Sequence, residues 1–137
     1  MKIFDCFMYY DEEMILDLRL NYLDAYVDYF VIVESIYTHS GLPRKLLFDI
    51  NNFSKFKNKI IYKVLNEEPK NLDKIEKNDD ENTLNSKLIL NAVKRENLQR
   101  DTLQNGLTLA SQNDLIDRKS TRLNSSHPSR YRMPSSA

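Results

Sequence analysis

The run Phe30-Val31-Ile32-Val33 constrains the fold more than any other stretch of the chain. It is short, unbroken, apolar and rich in β-branched residues, a pattern typical of a strand buried on both faces of a parallel sheet. The run ends at Glu34, and Thr38 and His39 follow within a few residues. In open α/β folds, ligands bind at the carboxyl edge of the sheet. The sequence therefore predicts a ligand site just beyond residue 34.

The segments around this run predict an α/β fold with parallel strands and flanking helices. Residues 2–10 and 60–65 have the apolar composition of further strands, and Leu115 and Ile116 resemble the start of a fourth. Residues 11–24 predict a helix whose cap and first turn are the acids Asp11, Glu12 and Glu13. Residues 85–109 also have helical periodicity. A strand, a helix and a second strand in this order form a βαβ unit, whose two strands are parallel.

Each predicted helix has an apolar stripe, which we expect to face the sheet. In the first helix the stripe consists of Met14, Ile15, Leu18, Tyr22 and Leu23. In the second it consists of Leu88, Ile89, Ala92, Val93, Leu98, Thr102, Leu103, Leu107 and Leu109. Between strands, Phe53 and Phe56 have the i, i+3 spacing that fixes one helical turn to a core.

Length and charge exclude several classes of protein. The chain has 137 residues, enough for one domain with a modest core. Residues 1–116 carry 15 bases and 19 acids, a balance that argues against nonspecific binding of nucleic acid. The single cysteine, Cys6, excludes an intrachain disulfide and suits a reducing compartment. The sequence also has no apolar run of the roughly 20 residues that span a bilayer.

Residues 117–137 differ from the rest in having five bases, one acid and no hydrophobic periodicity. Such a composition predicts a disordered C-terminal tail. The segments Asp117–His127 and Arg132–Ala137 also resemble translations of a common short-read sequencing adapter. We therefore expect the natural sequence to end at Ile116, so that residues 1–116 form the domain and residues 117–137 are non-native.

Five separated blocks of the sequence are Lys2-Ile-Phe-Asp-Cys-Phe, Asp11-Glu-Glu, Leu16-Asp-Leu-Arg-Leu-Asn-Tyr-Leu23, Val27-Asp-Tyr-Phe-Val-Ile-Val-Glu-Ser35 and Thr38-His-Ser-Gly41. In this order they resemble the amino-terminal half of glycosyltransferase family 17, the β-1,4-mannosyl-glycoprotein 4-β-N-acetylglucosaminyltransferase family. The Arg95-Glu96 and Arg100-Asp101 pairs also match a pattern that this family carries before its Asp-x-Asp-Glu motif.

The resemblance implies an incomplete GT-A-like, Rossmann-like sheet and transfer of N-acetylglucosamine or a related sugar from a nucleotide-sugar donor to a glycan acceptor. The donor of the characterised members is UDP-N-acetylglucosamine. The resemblance also implies a divalent metal, Mn²⁺ or Mg²⁺, bound by the Asp-x-Asp carboxylates, which this chain lacks. We therefore expect no catalytic or metal-binding residue here and an inactive fragment. Animal relatives are Golgi membrane proteins, whereas the absence of an anchor predicts a cytoplasmic location.

Six residues are candidates for substrate binding. Glu34, Thr38 and His39 are predicted to line the donor or acceptor pocket, although a strand cap and an ordinary turn explain them equally well. Arg95 or Arg100 is predicted to bind a phosphate, and the family pattern adds Asp101. The alternative is a pair of helix-surface charges bonded to Glu96 or Asp101. At the level of the whole chain, the alternative function is a small non-catalytic α/β interaction module with a genuine basic tail.

Overall fold

The computed structural model describes residues 1–119 and 129–132. Short 3₁₀ segments lie at Ile50–Phe56 and Leu103–Gly106. The strands are β1 (Ile3–Tyr9), β2 (Tyr29–Ser35), β3 (Ile60–Leu65), β4 (Leu115–Lys119) and β5 (Ser129–Arg132), and the helices are α1 (Glu13–Leu23) and α2 (Glu81–Thr102). The predicted α/β class with parallel strands and flanking helices is confirmed.

The five strands form one sheet in the order β3-β2-β1-β4-β5. The first four are parallel, and β5 is antiparallel to β4. The predicted strands near residues 3–9, 29–34 and 60–65 lie side by side, and Leu115 and Ile116 begin β4 as expected. The backbone of β4 continues through Lys119. Most of the predicted disordered tail, residues 120–128 and 133–137, lies outside the described residues.

The sheet separates two apolar cores, because alternate side chains of each central strand point to opposite faces. One core packs Val31 and Val33 of β2 against the 3₁₀ segment after α2, through Leu103. The other packs Phe30 and Ile32 against α1. Phe53 and Phe56 are buried in this second core, which confirms their predicted role in fixing one helical turn. Both faces of the sheet are therefore covered, as the apolar run in β2 requires.

The predicted apolar stripe of α1 is wrong. Leu16 and Leu20 are buried against the sheet, whereas Met14, Ile15, Leu18 and Tyr22 are exposed and Leu23 is half-buried. An ion pair explains the orientation of the helix. Arg19, between the two buried leucines, donates from Nε and Nη2 to the carboxylate of Asp5 at 2.7 and 2.5 Å. Asp5 is fully buried on β1, so this face of α1 has to meet the sheet to pair its charge.

The predicted stripe of α2 is wrong in the first half of the helix, whereas Leu98, Leu103 and Leu107 pack in the core as predicted. Leu88 and Ile89 are exposed, and the buried helical residues are instead polar: Asn91, Glu96 and Gln99. A buried polar side chain needs hydrogen-bonding or charged partners, and these three have them within the protein. Asn91, for example, accepts from the backbone N–H of Asp73 at 2.7 Å and donates to its carbonyl at 3.0 Å. The helix therefore holds a polar loop against its amino-terminal half.

Candidate active site at the carboxyl edge of the sheet

A cleft of about 370 Å³ opens beyond the carboxyl end of β1, the strand at the centre of the sheet. Its lining comes from the ends of β1 and β2 and from α2. The strand order reverses beside it, between β1 and β4. Open α/β folds bind ligands at such a point. The cleft is lined by Met8, Tyr9, Tyr10, Glu12, Thr38, His39, Ser40 and Gln99. The predicted ligand site beyond residue 34 thus coincides with a real concavity.

One wall of the cleft is a tight turn that follows β2. The backbone N–H of Thr38 donates to the carbonyl of Leu42 at 2.8 Å, and the N–H of Leu42 donates to the hydroxyl of Thr38 at 3.0 Å. The hydroxyl groups of Thr38 and Ser40 are 2.9 Å apart and share a hydrogen bond. Gly41 has a φ of 91°, a conformation that side chains disfavour. The turn therefore presents its hydroxyl groups from a fixed backbone.

Two side chains of α2 hold His39. Its Nε2 lies 3.2 Å from Oε1 of Gln99, and its backbone carbonyl accepts from Nη1 of Arg95 at 3.2 Å. Arg95 also donates from Nε to Glu68 at 2.9 Å, so it joins two loops at the edge of the sheet. Of the predicted site residues, the structure thus brings together Thr38, His39 and Arg95. Arg95 contacts protein groups, and its predicted contact with a phosphate stays a prediction.

Glu34 lies on the opposite face of the sheet and is fully buried. Its carboxylate accepts from the backbone N–H groups of Leu47 at 2.7 Å and Phe48 at 3.1 Å, and from the hydroxyl of Tyr62 at 2.7 Å. It also forms an ion pair of 3.0 Å with Nη2 of Arg44. These contacts hold the segment after the turn against the sheet. Direct binding of substrate by Glu34 stays a prediction.

Arg44 connects Glu34 to the cleft. Its Nη1 donates to the carbonyl of Ser35 at 2.6 Å, and its Nη2 donates to the carbonyl of Tyr10. The guanidinium also lies 4.7 Å from the centre of the Tyr10 ring. One buried cation therefore holds the ends of β1 and β2 and stacks on an aromatic side chain that lines the cleft.

Arg100 and Asp101 lie away from this cleft. Arg100 donates from Nη2 to Glu96, one helical turn earlier, at 2.9 Å, which is the helix-surface pairing that the sequence left open. Asp101 is exposed and lines a second cleft of about 410 Å³ with Glu68 and Lys94. The structure therefore does not bring these two residues together with His39, and their role in binding stays a prediction.

Tyr9 lines the cleft at the end of β1, and its ring packs in the core on the α1 face of the sheet, edge-on to Phe48. Burial, followed by the carboxylate of Glu13, raises the pKa of Tyr9 above 10.0, the ordinary value for tyrosine. Its hydroxyl group is therefore protonated at neutral pH and is able to donate. Besides Tyr9 and Tyr10, the cleft is lined by two aliphatic hydroxyl groups, an imidazole and one acid.

The comparison with protein families decides what kind of protein this cleft belongs to. The model of glycosyltransferase family 17 matches residues 1–123, which include every segment that lines the cleft. The chain belongs to glycosyltransferase family 17. Membership implies a sugar donor and a glycan acceptor as partners. Comparisons with curated proteins and with solved structures give no match.

The metal implied by the resemblance does not fit the part of the family-17 chain that the structure describes. No group of three or more His, Cys, Asp or Glu side chains is placed there to hold a cation. The run Asp79-Asp80-Glu81 is used by the fold, because Asp79 pairs with Lys87 at 2.9 Å and Asp80 accepts from the N–H of Thr83 at 2.6 Å. We therefore derive no chemical step through a metal. No helix in the described ranges is long and apolar enough to cross a membrane.

Of the eight residues that line this family-17 cleft, the sequence predicted only Thr38 and His39 as site residues. The sequence pattern places Tyr9 and Tyr10 in a strand and does not single out Gln99. Arg44 was missed as well, although it directly follows the Gly41-Leu42-Pro43 turn. The signal in the sequence is Glu34 itself. An acid at the end of a buried strand needs a cationic partner, and Arg44 is the first arginine or lysine that follows it.

Proposed function

We propose that this family-17 chain binds the nucleotide-sugar donor of a glycosyltransferase, with the nucleoside or sugar portion in the cleft beyond β1. The position of the cleft carries the proposal, because it lies beyond the carboxyl ends of two central parallel strands, β1 and β2, in a chain of the family. The donor we propose is UDP-N-acetylglucosamine, which the resemblance to the family suggests. The acceptor is a glycan, to which N-acetylglucosamine or a related sugar is transferred.

The lining of the cleft is suited to an uncharged portion of the donor, either its nucleoside or its sugar. The described lining residues include two tyrosines and two aliphatic hydroxyl groups but neither lysine nor arginine. Rings stack on a base or a sugar face, and hydroxyl groups exchange hydrogen bonds with sugar hydroxyls. A diphosphate needs cations, and the single charged lining residue, Glu12, is an acid. The diphosphate would therefore extend out of this cleft.

The Asp-x-Asp metal ligands are not among the described residues, and we propose that the chain by itself does not transfer sugar. The proposal assigns binding, not bond cleavage, to Thr38 and His39. Two arginines contact residues that line the cleft: Arg95 donates to the carbonyl of His39 at 3.2 Å, and Arg44 donates to the carbonyl of Tyr10. A cytoplasmic location stays a prediction.

Calorimetry tests the proposal. UDP-N-acetylglucosamine should bind the full chain, and His39→Ala should weaken the affinity about tenfold, which corresponds to roughly 1.4 kcal/mol for one lost contact. Asn97→Ala, a control in the second cleft, should leave the affinity unchanged. Absence of binding, or equal loss in both variants, would contradict the proposal.

One observation favours the alternative, a non-catalytic interaction module. The exposed side chains of Met14, Leu18, Tyr22 and Tyr26 recur every four residues and form an apolar face on α1 and the turn after it. Faces of this kind commonly bind other proteins. The family match and the cleft favour the glycosyltransferase. A chain that binds no donor in calorimetry and self-associates through this face would favour the module.

A further inference from the structure

Gln99 is buried on α2, and its amide forms one hydrogen bond from each end. Nε2 donates to the backbone carbonyl of Val33, near the end of β2, at 3.3 Å. Oε1 lies 3.2 Å from Nε2 of His39. The side chain thus bridges the sheet and the imidazole that lines the cleft.

The chemistry of the two partners fixes the orientation of this amide. The carbonyl of Val33 only accepts hydrogen bonds, so the NH₂ group of Gln99 has to face it. The amide oxygen therefore faces His39, and an amide oxygen cannot donate. The proton of this hydrogen bond must come from the ring, which places it on Nε2 of His39.

A neutral imidazole carries one proton, so a proton on Nε2 leaves Nδ1 as an acceptor. Among the described residues, no hydrogen bond to Nδ1 is formed. The backbone of His39 is fixed as well, since Arg95 donates to its carbonyl. Both the tautomer and the place of the ring are therefore set before any ligand binds.

We propose that Gln99 is a positioning residue that holds His39 as the Nε2–H tautomer and presents Nδ1 to a donating group of the ligand. This group is a hydroxyl or an N–H of the sugar or base, because ionised phosphate oxygens only accept. The inference rests on the proposed function for the identity of the ligand. The tautomer itself follows from the chain alone.

Nitrogen NMR of the full chain labelled with ¹⁵N-histidine tests the tautomer. At a pH of about 8.5, roughly two units above the ordinary histidine pKa, an unconstrained ring is neutral and exchanges between its two tautomers. His39 should instead show an unprotonated Nδ1 and a protonated Nε2. Averaged nitrogen resonances, or a proton on Nδ1, would overturn the inference. This spectrum needs only the wild-type chain and no ligand.

Substitutions then test whether Gln99 is the cause. Gln99→Met removes the acceptor at similar size, and the two nitrogen resonances of His39 should move towards each other. Gln104→Met, the same change at an exposed position, should leave them in place. His127, the only other histidine, provides the reference signal. An unchanged His39 in folded Gln99→Met would overturn the positioning role.

Addition of UDP-N-acetylglucosamine to the uniformly ¹⁵N-labelled full chain, in which the other cleft residues also give signals, separates the inference from the proposed function. A shift of the Nδ1 resonance on binding supports the presentation of Nδ1 to the ligand. Shifts at other cleft residues with Nδ1 unmoved overturn that part of the inference. If no cleft resonance shifts, the proposed function fails, while the tautomer remains decided by the spectrum without ligand.

Discussion

At the scale of single residues, buried charges decide how the edge of the sheet is built. Glu34 and Arg44 form an ion pair, and both side chains make further hydrogen bonds to neighbouring segments of the protein. Removal of one partner leaves the other buried without a counter-charge, which costs far more than the loss of a surface pair.

Glu34→Gln should therefore lower the free energy of unfolding by about 3 kcal/mol or more, because Arg44 would remain buried without its anion. Urea denaturation measures the change. Glu76→Gln is the matched control, since Glu76 is exposed, and it should change stability by less than about 0.5 kcal/mol. Similar values for the two variants would show that the Glu34 pair contributes little.

Tyr62 makes stability depend on alkaline pH. Its burial, and its hydrogen bond to Glu34, raise the pKa of Tyr62 above the ordinary 10.0. The folded chain then keeps this proton at a pH at which the unfolded chain loses it. Stability from this group is complete below pH 10 and falls as the pH rises above it.

Tyr62→Phe should flatten the decline of the unfolding free energy between about pH 10 and 12, although it lowers stability at neutral pH by roughly 1 kcal/mol. Tyr22→Phe removes an exposed hydroxyl and should leave the slope as in the wild type. Denaturation at a series of pH values gives the slopes. Parallel curves for the wild type and Tyr62→Phe would contradict this account of Tyr62.

At the scale of elements, the sequence predicted where the helices lie better than which face they bury. In α1, apolar side chains occur on every side, so periodicity alone could not choose between them. The choice depends on Arg19 pairing with Asp5, a contact between segments that a local pattern does not contain. In α2, buried amides hold loops, and hydropathy assigns such residues to the surface.

The two leucines Leu18 and Leu20 test the observed face of α1. Leu20→Ala should destabilise the chain by about 2–5 kcal/mol, because Leu20 is fully buried. Leu18→Ala is the same substitution on the same helix, but Leu18 is 68% exposed, and the change should stay within about 0.5 kcal/mol. Thermal or urea denaturation of both variants measures the difference. A larger loss for Leu18→Ala would restore the face predicted from the sequence.

At the scale of the whole molecule, the parallel sheet was predictable because its strands are continuous apolar runs separated by helices. The site was predictable only in outline. Glu34 correctly marked the carboxyl edge, but successive residues of a strand point to opposite faces, and its side chain points away from the cleft. The cleft also requires Gln99, which lies 60 residues from His39 and becomes its neighbour only when α2 crosses the sheet.

The most direct test of this account is an amide NMR titration of the ¹⁵N-labelled full chain with UDP-N-acetylglucosamine. The account predicts the largest shifts at residues 9–12 and 38–41, which form the cleft beyond β1. Shifts confined to residues 67–71, 94 and 97, around the second cleft, would move the donor site to the other side of α2. The absence of any shift would contradict donor binding by this chain.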